Sequence, residues 1–272
     1  MAAPPTIQRL FDLTGRKFLV VGGARTLGFD MALALAEAGA EGVVTSRQAP
    51  SAIAAAERIA GATGRAIVGL ALDATEEAAV ETAVRAAVGR LGRIDILINA
   101  VGGGGGGNST APPALEERPR AAWEAVQQTN VTAVFLVCKH VAPVMIAQAS
   151  GCIINIASVA GFVGRDRRVY PPGMPPQPTD YGAAKGAVLG FSTDLAGYLG
   201  PKGIRVNLIS PGGFERGQPP AFVAAYADRC MLGRMGRDGV DLKGAAVFLA
   251  SDAAAYVTAH NLVVDGGFSR WK

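Results

Sequence analysis

Apolar residues in this chain come in short bursts separated by amphipathic stretches. Lys17–Gly22 (KFLVVG) is a compact apolar run ending in glycine, as suits a strand covered on both faces. Leu27, Met31, Leu35 and Ala38 then recur at helical spacing, and Gly39 closes that helix. Glu41–Ser46 (EGVVTS) reads as the second strand, Ser51–Ala60 as an alanine-rich helix and Arg65–Leu72 (RAIVGLAL) as the third strand. Val80, Val84, Ala87, Val88 and Leu91 mark a further helix, with Thr75 as its expected N-cap and Glu76 and Glu77 in its first turn. Ile94–Asn99 is the fourth strand, a long helix spans about Arg120–Ala147, and Cys152–Ile156 is the fifth strand. A helix over about Tyr181–Leu199, a strand over Ile204–Ile209 and a last short strand over Asn261–Val264 complete the series.

Strand and helix alternate along the whole chain. That order implies right-handed crossovers and a parallel sheet with helices on both faces. No linker and no fixed-period repeat divides it, so residues 1–272 read as one doubly wound α/β domain. Such sheets bind ligands outside the carboxyl ends of their strands. Chemistry is therefore expected in the segments just after strands.

Composition narrows the class. Half of the 272 residues are apolar and 18% are charged, a balance that excludes disorder. Glycine, at 36 residues, is nearly double its usual share and lacks a collagen period, which points to tight turns. Two histidines and three scattered cysteines (Cys138, Cys152, Cys230) supply neither a metal-ligand set nor a disulfide framework, and lone thiols fit a reducing compartment. The longest apolar runs, such as Val131–Cys138, fall well short of the roughly 18 residues of a membrane span, and the N-terminus lacks a signal-peptide pattern. The expectation is a cytoplasmic protein with no membrane partner. The net charge of +4 is spread along the chain without a basic stripe or stacking aromatics, which argues against nucleic acid.

The turn Gly22-Gly23-Ala24-Arg25-Thr26-Leu27-Gly28 lies between the first strand and its helix. Glycines let backbone approach a pyrophosphate, and a helix N-terminus offers free N–H groups. A plain tight turn would also use glycine; its place in the first strand–helix–strand unit favours a dinucleotide. An NAD site normally puts an acid about 20 residues further on, against the ribose hydroxyls. Here that place, 19 residues after Gly28, reads Ser46-Arg47. Arg47, with Arg25 as a second cation, suits a 2′-phosphate. NADP(H) is thus favoured, with NAD(H) as the alternative.

Tyr181 and Lys185 stand four apart, on one face of a predicted helix. That spacing recurs by chance, as a half-buried aromatic and a solvated lysine. Ser158, directly after the fifth strand, and Asn130, a poor helix former inside the long helix, add to it. Taken in order, the glycine turn, Asp73-Ala74, Asn99-Ala100-Val101-Gly102, Asn130, Ser158, Tyr181-Gly-Ala-Ala-Lys185, Pro211-Gly212 and Asp265-Gly266-Gly267 resemble the short-chain dehydrogenase/reductase family from about Leu13 to Phe268. The resemblance implies a Rossmann fold and an oxidoreductase acting on a carbonyl/alcohol pair. It implies a catalytic set of Ser158, Tyr181 and Lys185, with Asn130 holding a water for proton relay. Cofactor contacts are expected from Gly22, Arg25, Thr26, Leu27, Gly28, Ser46, Arg47, Asp73, Ala74, Asn99, Ala100, Gly102, Pro211, Gly212 and Phe214, besides Tyr181 and Lys185. The family also commonly forms homotetramers, so a homodimer or tetramer is expected, with an apolar C-terminal stretch around Phe268 and Trp271 at the interface.

Electrostatics suits these roles. A free phenol ionises near pH 10; reaching 7 takes about 4 kcal/mol, which a neighbouring ammonium and a bound nicotinamide would supply. The non-catalytic alternative, a dinucleotide-binding regulatory module, would need none of the three side chains. Enoyl reductases of the superfamily usually separate tyrosine and lysine more widely.

Several features depart from the family pattern. Val21 and Thr26 stand where Thr-Gly-x-x-x-Gly-x-Gly has threonine and its middle glycine, and Ala100 replaces the second asparagine of Asn-Asn-Ala-Gly. Gly102–Gly107 is a run of six glycines followed by Asn108-Ser109-Thr110. Between Ser158 and Tyr181 lie 22 residues, roughly ten more than the family generally has, with Arg165, Arg167, Arg168 and the proline-rich Tyr170–Pro178. This loop is expected to form one wall of the substrate pocket, opposite a lid over Phe214–Met231, its arginines either solvated or facing an acidic substrate. The substrate class, from polyols and sugar acids to acyl thioesters, stays open.

Overall fold

The computed structural model describes residues 4–103 and 114–270. Gly104–Gly107, Asn108, Ser109, Thr110 and Trp271 lie outside them. A short helix α1 (Ile7–Phe11) precedes β1 (Lys17–Val21), and α2 (Thr26–Glu37), β2 (Glu41–Ser46), α3 (Ala49–Thr63), β3 (Ile67–Ala71), α4 (Glu77–Leu91) and β4 (Ile96–Asn99) follow. Next come α5 (Arg120–Gln127), α6 (Ala133–Gln148), β5 (Gly151–Ile156), α7 (Thr179–Leu199) and β6 (Ile204–Pro211). The chain then forms β7 (Phe214–Glu215), α8 (Pro220–Ala227), β8 (Gly236–Arg237), α9 (Lys243–Ala250) and β9 (Asn261–Val264).

Seven strands form one parallel sheet in the order β3-β2-β1-β4-β5-β6-β9. Strand order reverses between β1 and β4, so their carboxyl ends open the crevice of a doubly wound sheet. One face packs on α4, α6 and α7 through Val84, Val137, Val141 and Val188. The other packs on α2, α3 and α9 through Met31, Leu35, Ile59 and Leu249. All three cysteines are buried and free. Residues Arg120–Gln148 are long and apolar enough to cross a membrane by length and composition, but Val134, Val137, Cys138 and Met145 are packed in the core.

Two sequence expectations are corrected. Thr75 does not cap α4: its hydroxyl donates to Asp73 Oδ1 (2.7 Å), and Glu76 precedes the helix without a side-chain cap. The long helix is not uniform. Gln128–Thr132 form one π turn because Asn130 Nδ2 donates to the Val126 carbonyl (3.0 Å), the acceptor an α-helix reserves for the Asn130 N–H. Periodicity also passed over α1, α8, α9 and the two-residue pair β7–β8, elements too short, or too uniformly apolar, to show a period.

Candidate active site

The crevice starts where β1 ends. Ala100 N–H donates to the Val21 carbonyl (2.9 Å), which brings the segment after β4 against the glycine turn. Gly22 has φ +79°, and a Cβ there would lie 2.8 Å from the Ala100 oxygen; at Gly28 a Cβ would come within 2.2 Å of the Gly22 oxygen. Side chains are thus barred from the cradle by backbone. Thr26, where the family has glycine, sits at φ +49°, a left-handed conformation unfavourable for a β-branched residue. On the neighbouring strand, buried Thr45 Oγ1 accepts from the Gly22 N–H (3.3 Å). Sequence reasoning missed Thr45, although a hydroxyl inside a buried strand was a visible oddity.

At the far end of the turn, Arg25 and Arg47 are exposed. Hydrogen bonds from the Thr75 side chain and backbone hold the Asp73 carboxyl below its usual range, with the nearby Arg47 charge adding to them. Ser46 Oγ accepts from Gln48 N–H (3.3 Å), and the Ala74 side chain belongs to the core.

A cavity of about 910 Å³ lies over the carboxyl edge. It gathers the expected cofactor residues Thr26, Leu27, Gly28, Ala100, Gly102, Pro211, Gly212 and Phe214 with Ser158, Tyr181 and Lys185. Gly22, Arg25, Ser46, Arg47, Asp73, Ala74, Asn99 and Asn130 do not line it. Two of these require correction. The Asn99 side chain is buried beneath the edge, where its Nδ2 donates to Asn155 Oδ1 (2.8 Å); Asn155 Nδ2 in turn donates to Ser192 Oγ (2.9 Å). Its direction is set by that neighbour, so its side chain cannot reach a ligand in the crevice. Asn130 is fully buried too, and its amide is mostly engaged: Nδ2 donates to Gly103 O (3.1 Å) as well as Val126 O, and Oδ1 accepts from Gly103 N (3.0 Å). The residue ties the Gly102-Gly103 backbone to the π turn. Gly102 (φ +110°) passes so close that a Cβ would meet Asn130 Oδ1 at 2.3 Å.

Ser158 leaves β5 extended, and its Oγ accepts from the Ala160 N–H (3.1 Å). Tyr181 stands on the first turns of α7, whose start is clamped by an ion pair that the sequence did not disclose. Arg118 Nε donates to buried Asp180 Oδ2 (2.7 Å), while Asp180 Oδ1 accepts from the Tyr181 N–H (3.0 Å). Lys185 is buried one turn later, its Nζ donating to the Ile156 carbonyl (2.9 Å) and lying 5.8 Å from the Tyr181 ring centre.

Burial sets the direction in which both groups are displaced. Burial raises the Tyr181 phenol above its ordinary value, and the Ser158 hydroxyl and Arg165 charge oppose that rise only in part. Lys185, whose ammonium donates to the Ile156 carbonyl, is itself pushed down to about 8 by burial. Desolvation outweighs pairing at both groups.

The pocket walls lie where the sequence placed them. The Ser158–Tyr181 loop supplies Val169, Tyr170 and Met174, and the segment after Pro211 supplies Phe222 and Tyr226. The walls touch: Tyr170 and Phe222 ring centres are 5.3 Å apart, and Arg229 Nε donates to Asp166 (2.6 Å).

Comparison with known proteins agrees with this geometry. Residues 22–269 match a family described as Enoyl-(Acyl carrier protein) reductase. A gluconate 5-dehydrogenase from Gluconobacter oxydans is 37% identical over 266 residues, covering 96% of this chain and 97% of that protein. The chain belongs to the short-chain dehydrogenase/reductase family. A solved short-chain type dehydrogenase/reductase from Mycobacterium marinum superimposes with a TM-score of 0.86 at 32% identity, covering 98% of this chain and all of that one. A gluconate 5-dehydrogenase from Burkholderia cenocepacia, solved with NADP and tartrate, gives 0.85 at 33% identity, covering 97% and 98% of the two chains. This short-chain dehydrogenase/reductase is accordingly an NAD(P)-dependent oxidoreductase of carbonyl/alcohol pairs.

Proposed function

We propose that the chain is an NADP(H)-dependent oxidoreductase in which Tyr181 exchanges the proton between a carbonyl and an alcohol. The observation that carries this reading is the convergence of Ser158, Tyr181 and buried Lys185 on one cavity at the carboxyl edge of the sheet. The glycine cradle fits a dinucleotide, since Gly22 and Gly28 admit no side chain in the turn that leads into the N-terminus of α2, where free N–H groups suit a phosphate. Strand β2 ends in Ser46 and Arg47 follows, so the end of that strand carries a cation where an NAD site places an acid, and the Burkholderia relative was solved with NADP. When bound, the nicotinamide supplies or accepts the hydride.

The side chains do the rest. The raised phenol keeps its proton at neutral pH, so Tyr181 delivers it to the carbonyl oxygen as negative charge grows there. Ser158 accepts from Ala160 N–H and is left with its own O–H to donate to the same oxygen. Below about pH 8 Lys185 is an ammonium, and its charge favours the tyrosinate as the proton leaves. Asn130 is a positioning residue that fixes Gly102-Gly103 over Lys185. One domain both binds the dinucleotide and performs the chemistry. We read the enzyme as cytoplasmic and self-associating, in dimers or tetramers; exposed Phe135, edge-on to Phe191 at 6.2 Å, supports an interface on α6 and α7.

Two other readings have specific support: the relatives named gluconate 5-dehydrogenase favour NAD(P)-linked oxidation of a sugar acid, and the family description favours enoyl reduction. One screen separates them, monitoring NADPH and NADH by absorbance against ketones, oxo acids, sugar acids and keto- and enoyl-thioesters. Carbonyl reduction with NADPH is expected. Tyr181→Phe should lower turnover roughly a thousandfold while NADPH still binds; retained activity would refute the role.

A further inference from the structure

Most polar groups on the walls of the cavity are already engaged by the protein. Arg118 pairs with Asp180, Arg216 with Asp238, and Asp166 with Arg168 and Arg229. Gln218 accepts from Arg216 N–H and donates to the Phe214 carbonyl, and the Tyr226 hydroxyl accepts from Gly213 N–H.

Arg165 is the exception. It stands in the loop between Ser158 and Tyr181, half-buried, with its Cζ 5.9 Å from the Tyr181 ring centre. Two neutral acceptors hold it: Nη1 donates to Gln177 Oε1 and Nη2 to the Pro178 carbonyl, each at 2.8 Å. That uses two of five N–H groups and aims the rest without closing them. Among the described residues no carboxylate is within ion-pair reach, and the undescribed positions include no Asp or Glu. A clamped guanidinium lacking a counter-ion, beside the proton donor, is ready for an anion.

Around it the surface changes character. Val169, Phe222 and Tyr226 are buried with Tyr170, Met174 and Phe268 in a small apolar cluster, where Tyr226 stacks on Phe268 at 4.4 Å. Hydroxyl groups placed there would give up water and meet few free partners; alkyl or ring carbons would lose nothing.

We propose that the substrate is an amphipathic oxo acid, or the matching hydroxy acid: its carboxylate bound by Arg165, and an unhydroxylated alkyl, alicyclic or aryl body laid on the Tyr170–Phe222 wall. This rests on the oxidoreductase reading above. The test uses the full-length enzyme with NADPH and matched compounds: oxo acids of varied spacing with alkyl or aryl bodies, their methyl esters, and polyhydroxylated oxo acids of equal length. The acid should exceed its ester in kcat/KM by 10- to 100-fold, as expected for a charge-assisted pair, and exceed the polyhydroxylated acid by at least tenfold. Arg165→Gln should collapse the acid-to-ester ratio toward one, and Arg165→Lys should restore part of it. Esters reduced as well as acids, polyhydroxylated acids reduced best, or a ratio that survives Arg165→Gln would each overturn the inference while leaving the oxidoreductase reading intact. A variant that loses acid and ester equally would mark Arg165 as a loop brace and would overturn the inference in the same way. NADPH consumption with none of the compounds would defeat the reading beneath it, and the inference with it.

Discussion

Replacing Lys185 by Met is expected to stabilise the fold while disabling the enzyme. Lys185 is 3% exposed, and burial pushes its ammonium from 10.5 to about 8. At neutral pH that displacement corresponds to about 3 kcal/mol against folding. The hydrogen bond to Ile156 O returns about 1–2 kcal/mol, which methionine forfeits. Methionine fills a similar volume, so Lys185→Met should gain about 1–2 kcal/mol at pH 7. The pH dependence identifies the cause. Below about 8 the lysine is charged in both states and carries the full penalty; above 10.5 it is neutral in both and carries none. Between these limits the unfolded chain binds more protons, so the wild type gains stability as pH rises and the variant's advantage shrinks. Urea unfolding of both proteins at several pH values from 7 to 10, at fixed protein concentration, measures this directly. A variant less stable than wild type at pH 7, or a difference that ignores pH, would refute the electrostatic account of the buried lysine.

The remaining predictions concern the cofactor turn and the network below it. Arg47→Asp should weaken NADPH binding by 10- to 100-fold and leave NADH little changed, as measured by fluorescence titration; equal losses would remove the 2′-phosphate assignment. Thr26→Gly should gain up to about 1 kcal/mol in thermal unfolding by relieving the left-handed conformation, whereas Thr26→Val should gain nothing. Ser192→Ala leaves buried Asn155 Nδ2 short of an acceptor and should cost about 1–3 kcal/mol in denaturant unfolding, with the NADPH dissociation constant unchanged.

The alternation of apolar bursts and helical spacing was enough to give the doubly wound sheet, because strands buried on both faces and helices buried on one leave distinct periods in sequence. It also placed Ser158, Tyr181 and Lys185 at strand ends and on one helical face, since those positions follow from local geometry alone. What local geometry cannot contain is the partner across the fold. The Arg118–Asp180 clamp on the Tyr181 helix joins residues 62 apart, and the Asn99–Asn155 bond that turns Asn99 away from the crevice joins residues 56 apart. Thr45 meets the Gly22 N–H only because β2 lies beside β1. The direction of the Tyr181 and Lys185 titrations was likewise decided by tertiary burial: spacing along a helix places two groups near each other, but the surrounding low-dielectric packing determines whether attraction or desolvation prevails.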